Sequence, residues 1–554
     1  VMSPSFEMRN EWSTLPWKQI ERKVFKLQRR IYRASRRRQV KLVHKLQRLL
    51  VKSWYGRLLA VRRVTQDNRG KRTAGIDGVK SLTPSQRLQL ALSLSQFPRP
   101  RPLRRIWIPK PGKKEEKRPL SIPVMRDRAT QALIKLALEP QWEAKLDPNM
   151  YGFRPGRSCQ DAIEAVYRTI CCQPKYVLNV DIRGCFDNIS HAAILKKCRA
   201  PKWMKKLIKG WLECGVLDNG FQPTERGSPQ GGVISPLLAL IALQGVERHI
   251  KRLGTKTYPI YVVAYADDMV ILARREKDIH RAQAALEKWL HKIGLELNPQ
   301  KTTRCHTLYG ENPGFEFLGF QVRQYPVGKC RAKRGYKTLI TPSADGIKRH
   351  LTRLKKMIQL LQGASQSALI EAINPIIQGW CQYYRSVASS KTFSKLSFLL
   401  FEQLLHWAKY RHPNLNGHQT VSRYWLVNSG GGWVFTSKDG PRLKCHRYTR
   451  FRLHIKVQGN RSPYDGDWLY WGSRLRTYPG LSPLKSFLLR TQKGKCKHCE
   501  LNFLPDALIE LHHLDGNSDN NCRQNLALLH RHCHDQVHAV SNPSTTGTHD
   551  AEPS

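Results

Sequence analysis

A multidomain α+β fold is predicted by three observations. The chain has 554 residues, too many for a single hydrophobic core. Between 176 and 320, apolar strand-like runs alternate with helix-like stretches, and the segments on either side read as helix. Close to the end, Cys and His residues cluster at spacings that suit a metal ion. Hydrophobic residues make up 40% of the chain and aromatics 9%, enough for real cores and too many for wholesale disorder.

Charge narrows the partners. Lys and Arg number 95 against 41 Asp and Glu, a net +54. Such a surplus repels itself unless a polyanion neutralises it, which argues against a small-molecule metabolic enzyme. Nucleic acid is the first candidate and an anionic membrane surface the second. No run reaches the ~18 apolar residues needed to span a bilayer. The longest, Val233 to Leu243, is interrupted by Ser235 and Pro236, so no membrane partner is expected. The first ten residues, VMSPSFEMRN, lack the apolar stretch of a secretory signal. The 14 cysteines are scattered, with one CxxC, so free thiols and a metal site are expected rather than a disulfide framework. The expectation is a reducing compartment: bacterial cytoplasm or nucleoid, or an organelle.

The elements follow in order. Residues 12–66 read as basic helix: Ile20, Val24, Leu27 and Ile31 recur at helical spacing, with Arg29, Arg30, Arg33, Arg36, Arg37 and Arg38 between them. Few acids interleave, so phosphate contact is favoured over an internal salt-bridge lattice. Phe97–Arg105 (FPRPRPLRR) marks a turn, and IWIPKPGKKEEKRPLSIP after it reads as a β-hairpin. Residues 126–145 are helical. YVLNV, YPIYVVAYA, MVILAR and FEFLGFQV are strand-like, 344–410 helical, and 425–480 short strand-like pieces. Residues 490–540 are rich in Cys and His, and the polar tail beyond them is expected to be disordered.

Asp181 ends one apolar strand, and Asp267 and Asp268 lie between two others, at a hairpin tip. Adjacent carboxylates repel unless a cation lies between them or one protonates. Neighbouring strands of one sheet would aim all three at one point. Such a cluster suits Mg²⁺, which activates a 3′-hydroxyl and neutralises a leaving pyrophosphate.

Tyr265-Ala266-Asp267-Asp268 resembles the YADD box of reverse transcriptases, and Asp181 their first catalytic aspartate. The blocks around them stand in that family's order: TAGIDGV, IPKPGKKEEKRPLSIP, YGFRPGRSCQDAI, GSPQGGVISPLLA, YADD, GLELNPQKT and FEFLGF. Together they resemble the group II intron-encoded proteins, which join a reverse transcriptase to an RNA maturase. The resemblance implies a right-hand polymerase with fingers, palm and a helical thumb. Asp181, Asp267 and Asp268, with the carbonyl of Ile182, would form the Mg²⁺ site. Lys110 and Arg118 would hold the triphosphate of the incoming dNTP, and Gln230 and Tyr265 would line its site. Phe186 would be the steric gate against a 2′-hydroxyl, and Leu318, Gly319 and Phe320 a primer grip. Leu369–Asn414 resembles the maturase region. Its Trp380, Tyr383 and Tyr384 are expected mostly in the helical core, and Arg385, Lys391, Lys395 and Lys409 against intron RNA.

At the other end, Cys496-x-x-Cys499 and His530-x-x-Cys533 could complete a Cys₃His zinc site, with His532 and Cys522 as rival ligands. Glu510-Leu-His512-His513, Asn525 and His534-x₃-His538 resemble the HNH nuclease motif, a ββα-metal fold. Spacing of i, i+4 puts His534 and His538 on one helix face. By that resemblance His512 joins them around one divalent cation, most simply Mg²⁺, and His513 is the general base. Glu510 and Asn525 would orient the histidines and their loop. Between thumb and nuclease, Arg442, Lys444, Arg447, Arg450, Arg452 and Lys456 mix with Tyr448, Phe451, Trp468, Tyr470 and Trp471, which suits DNA contact.

The expected domains are 1–95, a basic helical extension and the start of the fingers; 96–330, fingers and palm; 331–425, thumb and maturase; 426–488, a small DNA-binding region; 489–540, the nuclease; and 541–554, a tail. The expected partners are group II intron RNA, target DNA, an RNA template with its DNA primer, and dNTPs. The implied function combines RNA-directed DNA synthesis, splicing assistance and second-strand cutting of a DNA target. A non-mobile splicing factor and a defence or diversification reverse transcriptase are the rival readings.

Overall fold

The computed structural model describes residues 12–541 except 111–112, 219, 428–432, 437–439, 479–480 and 505–506. The expectation for the tail beyond Ser541 lies outside the described residues. Helices Trp17–Arg36, Val40–Lys52 and Trp54–Arg62 open the chain and pack on the long helix Met125–Glu143. The predicted apolar stripe is the buried one: Ile20, Val24 and Ile31 are inside and Leu27 half-buried. Arg30, Arg33, Arg36, Arg37 and Arg38 face solvent, as a basic face must when no acid partners it.

The hairpin predicted after the Pro/Arg turn is present. Strands Leu103–Lys110 and Lys113–Ile122 pair antiparallel, with Ile106 opposite Leu120. Two short strands, Val216–Leu217 and Phe221–Gln222, extend this sheet on the Leu103–Lys110 side.

The expected palm contains a four-stranded antiparallel sheet in the order Tyr261–Tyr265, Asp268–Ala273, Tyr176–Val180, Thr303–His306. Its inner strands read as nearly continuous apolar runs, broken by Asn179 and opened by Asp268, because both faces are covered. Val177, Val263, Val270 and Leu272 join the core of helix Cys159–Ile170. Leu178, Val180, Val262 and Ile271 point the other way, into the core shared with helices Ser235–Leu243 and Glu276–His291. A sheet clamped on both faces holds its strand ends in fixed places.

A second sheet follows, of strands Phe315–Phe317, Phe320–Pro326 and Tyr336–Pro342. The expected boundary between 330 and 331 falls inside the hairpin joining the last two strands. Pairing of Val322 with Ile340 holds that hairpin together, so the helical region starts at Ala344. It comprises helices Ala344–Leu360, Gln366–Tyr384, Ser390–Arg411 and Gly417–Tyr424. The final part has helix Pro483–Thr491, then an antiparallel hairpin of Ile509–His513 with Leu526–His530, then helix Arg531–Ser541. No helix among the described residues is long and apolar enough to cross a membrane.

Candidate functional site

Sheet register brings the three aspartates together. Val180 pairs with Met269, so Asp181 lies one step beyond, across from Asp268. Tyr265 pairs with Asp268, which leaves Ala266 and Asp267 as a two-residue turn. Ala266 has φ +58°, a left-handed conformation that is uncommon for a residue with a Cβ. The turn is held from the side: Ala264 N–H donates to Asn149 O at 2.9 Å and Tyr151 N–H to Ala264 O at 2.9 Å. Gly152 completes that clasp, since a Cβ there would lie 2.4 Å from the Ala266 nitrogen. No role was expected for Gly152, although it stands in the YGFRPGRS block.

Asp181 Oδ2 lies 3.8 Å from Lys301 Nζ, and its carbonyl accepts from Asn298 N–H at 2.8 Å. Ile182 is buried and bridges to Leu297. Desolvation, opposed by a backbone hydrogen bond and reinforced by the charge of Asp181, pushes the Asp267 carboxyl upward. Asp268 is pushed up to about 6 by desolvation and by Asp267 and Asp181, with Lys301 opposing. Three converging carboxylates of this kind fit a hard divalent cation, which would replace their repulsion with attraction. Lys301, in the GLELNPQKT block, is a further charge at this site that sequence reasoning left without a role.

On the fingers side, Arg118 is exposed and opposite Ile108 in the hairpin. The side chain of Lys110 lies outside the described residues. Gln230 is tied to both flanks: its carbonyl accepts from Ser121 N–H at 2.6 Å, and its Nε2 donates to Asp187 Oδ2 at 3.4 Å. Gly231 lets the turn approach, because a Cβ there would lie 2.6 Å from Ser121 O. Phe186 is half-buried, edge-on to Phe153 with ring centroids 6.1 Å apart. Arg105, Phe186, Asp187, Arg226 and Gln230 line an open cavity of about 220 Å³. Asp187, next to Phe186, was also not singled out.

Leu318 and Gly319 form the turn between paired Phe317 and Phe320, with φ +52° and +77°. The helical region holds this turn. Tyr383 Oη donates to Leu318 O at 2.9 Å and Tyr384 Oη to Gly319 O at 3.0 Å. Their rings pack on Phe320 at 5.1 and 4.9 Å. Trp380 stacks on His350 at 4.7 Å. Lys391, Lys395 and Lys409 are exposed and Arg385 half-buried, so aromatics and cations sort inward and outward.

Cys496, Cys499, His530 and Cys533 are buried, and their ligand atoms lie within 4.8 Å of one another. Cys499 Sγ is 3.3 Å from His530 Nδ1. Of the rivals, Cys522 is exposed, whereas His532 is buried beside the group, its ring stacked on His530 at 5.1 Å and its Nδ1 3.3 Å from Glu21 Oε1. Soft thiolates plus one imidazole suit Zn²⁺. His512, His534 and His538 form a second group within 4.8 Å. His512 Nδ1 is buried with no hydrogen-bond partner, and the Nε2 atoms of His534 and His538 are 3.2 Å apart. Such unpaired buried nitrogen is costly and fits a cation. His513 stands outside this group, 3.4 Å from Asn521 Oδ1. Asn525 pins the loop between, donating to Asp515 Oδ1 at 2.8 Å and Asn520 O at 2.8 Å. Glu510 is paired with Arg531 at 2.8 Å, so it braces the histidine-bearing helix rather than bonding a histidine.

The stretch 442–478 corrects one expectation. Trp471 is buried, against Gly156 of the palm, and Tyr470 receives a hydrogen bond from Gln458 N–H at 2.9 Å. Trp468 packs 5.2 Å from Phe25. These aromatics are occupied within the protein, while Tyr448 and Phe451 remain exposed. The reason is Asp161, fully buried, which accepts from His454 (3.0 Å), Val457 N–H (2.8 Å) and Arg474 (2.7 Å). Those hydrogen bonds hold the Asp161 carboxyl down at about 2, against a desolvation that would raise it.

Three family models match this chain. The model for reverse transcriptase (RNA-dependent DNA polymerase) matches residues 108–322. The N-terminal domain of reverse transcriptase matches 12–94, and the group II intron maturase-specific domain 347–425. Group II intron-encoded protein LtrA of Lactococcus lactis subsp. cremoris is 25% identical over 504 residues, covering 75% of this chain and 80% of that protein. Protein YkfC of Escherichia coli (strain K12) is 32% identical over 308 residues, 47% of this chain and 78% of that protein. Maturase-like protein 1 of Euglena gracilis is 28% identical over 385 residues, 67% of this chain and 76% of that protein.

Proposed function

The chain belongs to the group II intron-encoded reverse transcriptases with a maturase domain, and from that premise we propose a mobile-intron enzyme with two separate metal-dependent sites. It assists splicing of its intron RNA, cuts the second strand of a DNA target, and copies intron RNA from the freed 3′ end. The observation that carries the polymerase site is the convergence of Asp181, Asp267 and Asp268 at one strand edge. Magnesium held there would activate the primer hydroxyl and offset charge on the leaving pyrophosphate. Lys110 and Arg118 bind the triphosphate from the fingers. Phe186 excludes a 2′-hydroxyl, Gln230 supports the nucleotide, and the Leu318–Gly319 turn seats the primer end.

For the nuclease, the carrying observation is the histidine group with the orphaned His512 Nδ1. His512, His534 and His538 would hold one divalent cation against the scissile phosphate. His513, outside them, takes the proton from the attacking water. The Cys₃His group holds structural zinc. Exposed Lys391, Lys395 and Lys409 and the arginine face of Trp17–Arg36 bind intron RNA through phosphates.

Primer extension on intron RNA and nicking of a target duplex, run side by side, test the reading. Extension that continues in Asp267→Ala, or nicking that continues in His513→Ala, contradicts the corresponding half. A non-catalytic splicing factor would show neither activity in the unaltered protein.

A further inference from the structure

Helix Arg531–Ser541 has two working faces. At about 100° per residue, His534 and His538 share one face, His532 and Gln536 lie roughly opposite, and Asp535 lies on the flank between them, so these three form a second face. The first face carries the histidine group. The second meets the N-terminal helical domain at every one of its three positions. His532 Nδ1 lies 3.3 Å from Glu21 Oε1. Asp535 Oδ2 lies 2.7 Å from Arg62 Nη2. Gln536 Nε2 donates to Leu15 O at 2.9 Å and to Ser13 O at 3.3 Å.

Arg62 is not a surface side chain that happens to reach across. Its side chain is 3% exposed, its guanidinium lies 4.9 Å from the centroid of the Trp17 ring, and Asp67 stands 3.6 Å from it. A buried guanidinium with a fixed fork is a directional anchor, and its carboxylate partner is thereby oriented as well. Asp535 thus joins a rigid socket on the polymerase body to the helix that bears two of the nuclease histidines.

We propose that Glu21 and Arg62, with the backbone at Ser13 and Leu15, are positioning residues for the nuclease. They seat the metal-binding helix on the N-terminal domain and so fix the distance along DNA between the second-strand cut and the polymerase site. The proposal rests on the nuclease reading. In it, the cut position is a property of the protein's N-terminal domain as much as of the nuclease itself.

The test uses the full chain with its intron RNA on a duplex target, the cut mapped to the nucleotide. Unaltered protein cuts at one position. Asp535→Arg sets two cations face to face, so its cuts spread over several positions while the total amount of nicking is retained. Arg62→Glu combined with Asp535→Arg restores the single position, a rescue that general destabilisation would not give. Because Arg62 is buried, Gln536→Ala gives an independent check, with a smaller spread in the same sense. Without RNA, metal or DNA, limited chymotrypsin digestion, for which the substitution creates no new site, should release the C-terminal module from Asp535→Arg at least about tenfold faster, as the undocked population rises. A single unchanged cut position with unchanged digestion overturns the proposal. Absence of second-strand nicking by the unaltered protein overturns the nuclease reading instead, and the digestion result still judges the docking.

Discussion

The palm aspartates and the C-terminal Cys/His groups are both ligand clusters, yet they relate to the fold in opposite ways. The palm site sits on strand ends whose two faces are packed by separate layers of helices. The geometry stands without an ion, and only the carboxylate repulsion waits for one. In the C-terminal module the ligands are themselves core. Cys496, Cys499 and Cys533 belong to a small cluster with Leu488, Leu489, Phe503, Leu526, Leu528 and Leu529. So little apolar surface cannot hold a domain alone, and a metal bound there would supply folding energy. A large domain can separate stability from metal chemistry, and a module this small cannot.

The largest expected effect is chemical and leaves the fold alone. Asp267→Ala should lower primer extension at least about 10³-fold, more than ~4 kcal/mol of barrier, with no loss of thermal stability. A fall in melting temperature of the main transition would show that the palm site is not independent of its metal. Next comes the opposite case. Cys496→Ser, or zinc removal by chelator, should unfold mainly the last ~60 residues, read as lost hydrogen-exchange protection after Ser482. Extension on an annealed primer should survive. Full exchange protection in the zinc-free protein would collapse the contrast.

A pH effect should distinguish the sites more gently. Asp268 is pushed up to about 6 in the metal-free fold, above its unfolded value near 4. Its contribution to stability is therefore present below about pH 4 and lost as pH rises through about 6. Without Mg²⁺, the palm should melt at lower temperature at pH 7.5 than at pH 5, for this group's part, and added Mg²⁺ should recover more at pH 7.5. Carrying Asp268→Asn through the same two conditions isolates the effect. Smallest is Tyr384→Phe, which removes one hydrogen bond to Gly319 and leaves the ring. It should weaken primer binding by about 1 kcal/mol, roughly fivefold, with the KM for dNTP unchanged. A change in dNTP KM alone would place that tyrosine's effect elsewhere.

Much of this was legible in the sequence because it is local. Strand-end aspartates, the fingers hairpin, the arginine face of the first helix and the paired CxxC and HxxC all follow from period and spacing. The choice of His530 over His532 followed from spacing as well, and the group that forms contains His530; what spacing could not give was the contact of His532 with Glu21, which lies far along the chain. Nor could it give the fate of Trp471, whose basic and aromatic neighbours suggest DNA until Asp161 gathers His454, Val457 and Arg474 from far along the chain. Gly152, and the hold of Tyr383 and Tyr384 on the Leu318–Gly319 turn, escaped for the same reason. Each acts on a turn more than 60 residues away, and no local pattern encodes such an approach.

The central claim is that one chain carries two separable metal-dependent activities. The direct measurement takes purified Asp267→Ala and His513→Ala proteins, each with intron RNA, and follows both products on one target duplex. Asp267→Ala should nick the second strand and make no cDNA. His513→Ala should leave that strand whole yet extend an annealed primer at the unaltered rate. Loss of both products in either folded variant would contradict the account.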